Sequence, residues 1–512
     1  MTLFLKRYRE QLSLALLLAL AAMLRLWGLG GQGFWRDEAQ GLFIAAKGFP
    51  GGIIAALARD GHPPFYYFIM HGWLLAFGRG EFAIRLFSAV CGVAAIAAVY
   101  ALGRRFYGQR TACLAALLGT FLPLHIVVSR TARMYGLVSL LSALTLYLAY
   151  QAVTEGGLWR HVGLAIVSLA LMYSHNWGVL VVAAIDAWWV LLLLTYPPAR
   201  RTWWRWAAAQ LTIAVLYLPW LPFLQAQRSA LVVAATWAKV GSRLANLFRL
   251  MNELTSLYLP DGRPFIWIIL AGLGLFTVRV SRREVAVALP LEPAALLVAC
   301  AFALPPVVGL IVTPKSIGII PNYVTIVIFP PLCLALARGV LVLRRWWATG
   351  LALLLVAALW WTPVRTAVTA VTSNLREVAA FVERQAGPGD VIIIAPDYLA
   401  TPFNFYYHGP QAQVAFPSPP GRVEEIVWAN YGDRWERAAA QIEPTLEFVQ
   451  QSLGPDGRVW LVGPVESYPN NPLFVQIRAL RSSLEERYRL QRAVTDFRGP
   501  VEMADVYIYE KR

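Results

Sequence analysis

Two short acidic stretches sit where apolar segments end. Gly33-Phe34-Trp35-Arg36-Asp37-Glu38-Ala39 follows the first long apolar run, and Asp60-Gly61-His62-Pro63-Pro64 precedes another. Carboxylates that border hydrocarbon are costly unless they are used or paired. Cations and ring donors recur at further segment ends: Arg130, Arg133, Tyr135, His175 and Lys315. Acids and cations together at a water–lipid boundary suit a substrate with a phosphate and a lipid tail. Guanidinium groups hold phosphate oxygens and offset the charge that grows on a departing phosphate. A carboxylate takes the proton of an attacking hydroxyl or amine, and partial desolvation raises its pKa toward a useful range. Phosphate leaves with less protonation than a sugar alkoxide, so one base plus cations suffices, unlike the acid and base pair of most glycosidases.

Each residue also has a plainer reading. Asp37 and Glu38 fit the first turn of a solvated helix, whose N-terminus favours acids. Arg130 and Arg133 fit side chains that snorkel to phospholipid headgroups. His62-Pro63-Pro64 fits a helix start, and His175 a polar helix end. Spacing alone leaves both readings open.

Elements must then hold these groups at a membrane surface. The chain has 512 residues, 58% hydrophobic and 14% charged, against about a quarter charged in a soluble protein. It reads as an α-helical polytopic membrane protein. The net charge of +16 comes largely from clusters such as Arg104-Arg105, Arg200-Arg201, Arg282-Arg283 and Arg344-Arg345, each beside an apolar run. That is the positive-inside pattern and excludes a nucleic-acid partner. Cys91, Cys113, Cys300 and Cys333 lie in apolar stretches without metal-ligand spacing.

Lys6, Arg7 and Arg9 precede residues 12–29 and place the N-terminus in the cytoplasm. Ala19-Leu20-Ala21 offers the alternative of a cleaved signal peptide; either way the Asp37 loop lies outside. Further spans are expected at 82–102, 111–128, 134–152, 162–174, 177–194, 206–224, 265–278, 293–312, 323–337 and 346–363, about eleven in all. Residues 64–77 are apolar but short and begin with prolines, so they read as a juxtamembrane or re-entrant helix. Residues 225–264 form a mixed external loop able to cover a site. After Pro363 the composition changes: helices at 375–385, 435–453 and 473–489 alternate with strands at 391–394, 459–462 and 506–509. The expected organisation is a membrane domain, 1–363, and an extracytoplasmic α/β domain, 364–512.

The run Trp35-Arg36-Asp37-Glu38-Ala39, then Asp60-Gly61-His62-Pro63-Pro64, Arg85-Leu86-Phe87-Ser88 and Ser129-Arg130-Thr131-Ala132-Arg133-Met134-Tyr135 resembles the GT-C glycosyltransferases. The likeness is greatest to the bacterial branch of the dolichyl-phosphate-mannose protein mannosyltransferases, which includes the aminoarabinose and galacturonic acid transferases of lipopolysaccharide. The resemblance implies the GT-C fold. It also implies inverting transfer of a monosaccharide from a polyprenyl phosphate to an extracytoplasmic lipid, glycan or protein, at the bacterial cytoplasmic (inner) membrane. By that likeness Asp37 is the catalytic carboxylate and Asp60 the second acid. Glu38 joins them in positioning, while Arg36, His62, Arg130, Arg133, Tyr135, His175 and Lys315 handle donor phosphate or substrate. The aminoarabinose transferases carry Lys where this chain has His62. Relatives often show Arg-Tyr before a late span where Asn322-Tyr323 stands here, and Lys315 is the candidate replacement cation. Oligosaccharyltransferase relatives use a divalent metal, but Met134-Tyr135-Gly136 stands where they supply further acids, so no metal or other cofactor is expected. Two other functions compete: a transporter or flippase of lipid-linked sugars, for which Asp186 is the main mid-span acid, and a non-catalytic scaffold for envelope assembly.

Overall fold

The computed structural model describes the main chain of residues 2–201, 203–234, 243–257, 264–280, 285–312, 321–343, 345–426, 431–465, 472–495 and 503–512. The chain opens with the long helix α1 (Thr2–Leu26) and three shorter ones, α2 (Arg36–Ala45), α3 (Gly51–Leu57) and α4 (Phe65–Phe77). Then come α5 (Glu81–Tyr107), α6 (Gln109–Phe121), α7 (Pro123–Arg130), α8 (Tyr135–Thr154), α9 (Leu158–Ser174) and α10 (Gly178–Thr195). The bundle continues with α11 (Pro197–Arg201), α12 (Trp203–Tyr217), α13 (Leu221–Ala234), α14 (Arg243–Ser256), α15 (Pro264–Leu275), α16 (Pro293–Val312), α17 (Pro321–Leu341) and α18 (Trp346–Thr369).

Six helices among the described residues are long and apolar enough to cross a membrane, and α6 with α7 makes a seventh, bent by 63°. The chain is a multi-pass membrane protein. Each apolar segment expected to span coincides with a helix, the rest being α1 and the shorter α9, α15 and α17. Within the segment 64–77, Phe65–Phe77 form the 13-residue α4, too short for a bilayer core of about 30 Å at 1.5 Å per residue.

The segment 111–128 is not straight. Pro123 begins α7 with Leu122 extended before it, because proline lacks an N–H and its ring excludes the helical conformation from the preceding residue. Helices elsewhere meet closely through small residues, as membrane helices do. A Cβ on Gly274 would collide with the Ala335 carbonyl, and one on Gly339 with that of Leu270, so α15 and α17 cross at main-chain contact.

The last part of the chain is a five-stranded sheet with helices. Its strands, after a small hairpin of β1 (Thr277–Val280) and β2 (Val285–Ala288), are β3 (Val391–Ile394), β4 (Ala412–Ala415), β5 (Val459–Gly463), β6 (Tyr488–Val494) and β7 (Asp505–Lys511), in the order β4-β3-β5-β7-β6. Strands β4, β3 and β5 run parallel, and β7 and β6 are antiparallel additions. Strands β3 and β5 are wholly buried, as strands covered on both faces must be. Helices α19 (Leu375–Gln385), α20 (Ala400–Tyr406), α21 (Tyr431–Glu436), α22 (Ile442–Ser452) and α23 (Pro472–Arg487) accompany the sheet. The helix expected to reach residue 489 gives way to β6, an edge strand whose Arg489 pairs with Glu510 of β7.

Candidate active site

Asp37 and Glu38 lie in the first turn of α2 but diverge. Glu38 is 1% exposed. Its Oε1 accepts from Arg85 Nε at 2.8 Å and from the Ala132 N–H at 2.7 Å, and its Oε2 accepts from Arg85 Nη2 at 2.6 Å. Oε2 also lies 3.4 Å from the Trp35 N–H, closing the start of the helix. Arg85 gives its other donors to the carbonyls of Leu29, Gln32 and Gly33. This buried ion pair ties the turn before α2 to α5 and to the loop after α7. Asp37 instead keeps 29% of its side chain exposed, with Arg36 Nε 3.5 Å away.

Arg133 brings the two acidic stretches together. Its Nη1 donates to the Asp37 carbonyl at 3.1 Å, and its Nη2 lies 3.2 Å from His62 Nε2. His62 Nδ1 in turn lies 3.4 Å from Asp60 Oδ2. Arg133 Nη2 is also 3.4 Å from His62 Nδ1. Asp60 is buried and also accepts from the Tyr67 hydroxyl at 3.5 Å. Burial pushes its pKa up, but the His62 hydrogen bond and the charges of His62 and Arg133 outweigh this and hold it below the ordinary 3.8. Burial lowers the Arg133 pKa, yet the neighbouring Tyr67, Tyr135, Asp37 and Asp60 raise it well above its ordinary value, so the guanidinium stays charged. Its Nε–H is buried and has no partner among the described residues.

His175 and Tyr135 complete this wall. The His175 ring is 5.6 Å from that of His62 and 6.4 Å from that of Tyr135, centroid to centroid. His175 Nδ1 accepts the Trp177 N–H at 3.1 Å. Burial, with His62 and Arg133 nearby, drops its pKa well below 6.5, so the ring is neutral. The loop carrying Asp60 is pinned from behind. Asn176 donates to the Gly61 carbonyl at 3.1 Å, and Gln227 to that of Leu57 at 2.9 Å.

Arg130 is turned elsewhere. Its Nη1 donates to the carbonyls of Leu24, Arg25 and Trp27, and its Nη2 to Val368. These are end carbonyls of α1 and α18, which lack helical partners. Arg25 returns the favour: buried in the bundle, it donates to the carbonyls of Thr120 and Gly119, freed by the break before Pro123, and contacts His125 Nδ1 at 3.0 Å. Lys315 lies outside the described residues, as do the side chains of Asn322 and Tyr323.

The C-terminal α/β part packs against α2 and the turn before it. The Tyr406 hydroxyl accepts the Phe34 N–H at 2.7 Å and donates to Glu81 at 3.2 Å. The Gln40 amide makes both hydrogen bonds of the Ile426 main chain, at 3.0 and 3.1 Å. Lys47 pairs with Glu425 at 2.7 Å, and the Arg36 guanidinium lies 4.8 Å from the centre of the Tyr398 ring. Of the residues singled out in the sequence, Arg36, Asp37, Asp60, His62, Arg133, Tyr135 and His175 converge, whereas Glu38 and Arg130 serve the surrounding framework. Sequence reasoning missed Arg25, Gln227 and Tyr398 as parts of the setting. Only Arg25 carried a signal, as a lone cation inside an apolar helix.

A sequence profile of the dolichyl-phosphate-mannose-protein mannosyltransferases matches residues 61–224, a stretch that holds His62, Arg85, Arg133 and His175. No characterised protein matches the chain by overall sequence. Among solved structures, ArnT from Cupriavidus metallidurans bound to undecaprenyl phosphate superposes with a TM-score of 0.55 at 14% identity, over 97% of each chain. The Archaeoglobus fulgidus oligosaccharyltransferase tethered to an acceptor peptide gives 0.53 at 13% identity, over 99% of this chain and 74% of the other. The same organism's AglB, in complex with an inhibitory peptide and a dolichol phosphate, gives 0.51 at 12% identity, over 90% and 70%. The chain has the GT-C fold. In the GT-C arrangement seen here, the converging residues come from the first turn of α2, from the loop that follows α3, from the loop after α7 with the start of α8, and from the α9–α10 junction.

Proposed function

We propose that the protein is an inverting glycosyltransferase that moves a monosaccharide from a polyprenyl phosphate to a lipid, glycan or protein acceptor on the extracytoplasmic side of the bacterial inner membrane. Residues 1–363 serve as the catalytic unit and 364–512 as the extracytoplasmic unit over it. One observation carries the reading: Arg133, held charged beside the Asp37 carbonyl and the Asp60–His62 pair, keeps a buried Nε–H with no partner among the described residues. A phosphate oxygen is the acceptor that such a donor fits. The acceptor hydroxyl attacks the anomeric carbon while the bond from that carbon to the phosphate oxygen breaks. The polyprenyl phosphate departs with the bonding electrons, and the hydroxyl proton passes to Asp37. Asp60 fixes His62 and Arg133, with Tyr135 and His175 lining the donor side, while Glu38 and Arg130 hold the loops in place. Met134-Tyr135-Gly136 stands where metal-dependent relatives supply further acids, so transfer is expected to proceed in the presence of a chelator.

Charge supports this orientation. The end of the bundle away from Asp37 carries Arg104, Arg105 and Arg160, paired with Glu10 and Glu155, and a basic end belongs in the cytoplasm. The transport alternative has less behind it: Asp186 accepts from Trp206 Nε1 at 2.9 Å, a local pairing within the bundle. The deciding experiment reconstitutes the purified protein with a radiolabelled polyprenyl-phosphate sugar and an extract of envelope acceptors. Sugar transfer by the wild type and none by Asp37→Asn at equal abundance supports the enzyme. Transfer by Asp37→Asn at the wild-type rate removes Asp37 from the mechanism.

A further inference from the structure

We infer that Tyr398 of the soluble domain is a positioning residue for the reaction at Asp37, acting through Arg36; the inference rests on the transferase reading above. Arg36 lies between two groups of different kinds. On one side its Nε is 3.5 Å from the Asp37 carboxylate, and on the other its guanidinium faces the Tyr398 ring at 4.8 Å. Arg36 and Asp37 are each about a third exposed, whereas Tyr398 is 7% exposed. The ring is therefore the fixed member of the trio. Its fixity has a visible source: Tyr398 sits in a 3-10 turn, Asp397–Leu399, whose Asp397 is fully buried. That carboxylate accepts from Ser418 Oγ at 2.7 Å and pairs with Arg434 at 3.5 Å. An exposed ion pair does little to fix an arginine rotamer. A ring face adds an attraction that is directional and needs no water. The ring thus holds Arg36 on one side of Asp37 and leaves the other side of the carboxylate open to an acceptor. The soluble domain in this way takes part in setting the base, in addition to covering it.

The test compares steady-state transfer by Tyr398→Leu, Tyr398→Phe, Arg36→Ala and the double variant Tyr398→Leu/Arg36→Ala in the full-length protein, with Gln40→Ala as a control. Gln40 anchors the same domain to α2 without touching Arg36. Tyr398→Leu is expected to lower kcat about tenfold with the donor KM unchanged, and Tyr398→Phe, which keeps the ring, to stay within about twofold of wild type. The double variant should be no slower than Arg36→Ala, because a residue acting through Arg36 has nothing left to act on. Additive losses in the double variant, or the same kcat loss in Gln40→Ala, overturn the inference and make Tyr398 a domain-docking residue. If wild-type protein transfers sugar while these couplings fail, the inference alone falls. If the wild type transfers none, the transferase reading falls and the inference with it.

Discussion

At the residue scale, the neighbouring acids Asp37 and Glu38 differ in setting: one side chain is 29% exposed and the other is enclosed by Arg85. Replacing Asp37 by Asn is expected to lower transfer about 10²–10⁴-fold, the range for loss of a general base, with membrane abundance unchanged on a blot. Arg133→Lys keeps the charge but loses the fork that reaches the Asp37 carbonyl and His62 together. Its donor KM should rise, and Arg133→Ala should cost more. His175 makes stability depend on pH. Its folded pKa lies well below 6.5, so the unfolded chain takes up the proton first as pH falls. Stability should be full above about 6.5 and decline as pH drops below it, and His175→Gln should flatten that decline in a thermal-shift series. That acids, cations and rings would gather in one place was legible in the sequence because acids rarely sit beside hydrocarbon unpaired. Which acid faced inward was not, since adjacent helix positions differ by a rotation of about 100° that only packing fixes.

At the element scale, local signals worked where the period was long and failed where one residue decided. The apolar runs gave the membrane helices, and the wholly apolar strands β3 and β5 were visible as such. Strand β4 is four residues at a sheet edge, and β6 is rich in exposed side chains, so neither carried a hydrophobic pattern. Pro123 was in view, yet its effect on 111–128 became clear only with Arg25 taking the freed carbonyls of α6. That exchange, with Arg130 taking those of α1, fixes the direction in which the chain leaves α7 toward Arg133. The Glu38–Arg85 pair does the same for the start of α2. Truncating either partner leaves an unmatched buried charge, at a cost of about 3–5 kcal/mol. Glu38→Ala and Arg85→Ala should therefore each show a markedly lower melting temperature in detergent, whereas Asp37→Asn should not.

At the scale of the whole molecule, the α/β part could be recognised from its change of composition, but its contacts with α2 could not, because Gln40, Lys47, Ile426 and Tyr406 are ordinary residues until they meet. Tyr406→Phe tests that meeting. It leaves the buried Phe34 N–H without its acceptor, for a loss of about 1–3 kcal/mol, read as earlier unfolding of the full-length protein. The same seam limits how such proteins can be recombined. A chimera that grafts a foreign C-terminal part onto the bundle would inherit every acid and guanidinium proposed for chemistry. A graft without an aromatic ring for Arg36 should insert normally yet transfer about tenfold more slowly, and one without a hydroxyl for Phe34 or a main-chain partner for Gln40 should dock less firmly.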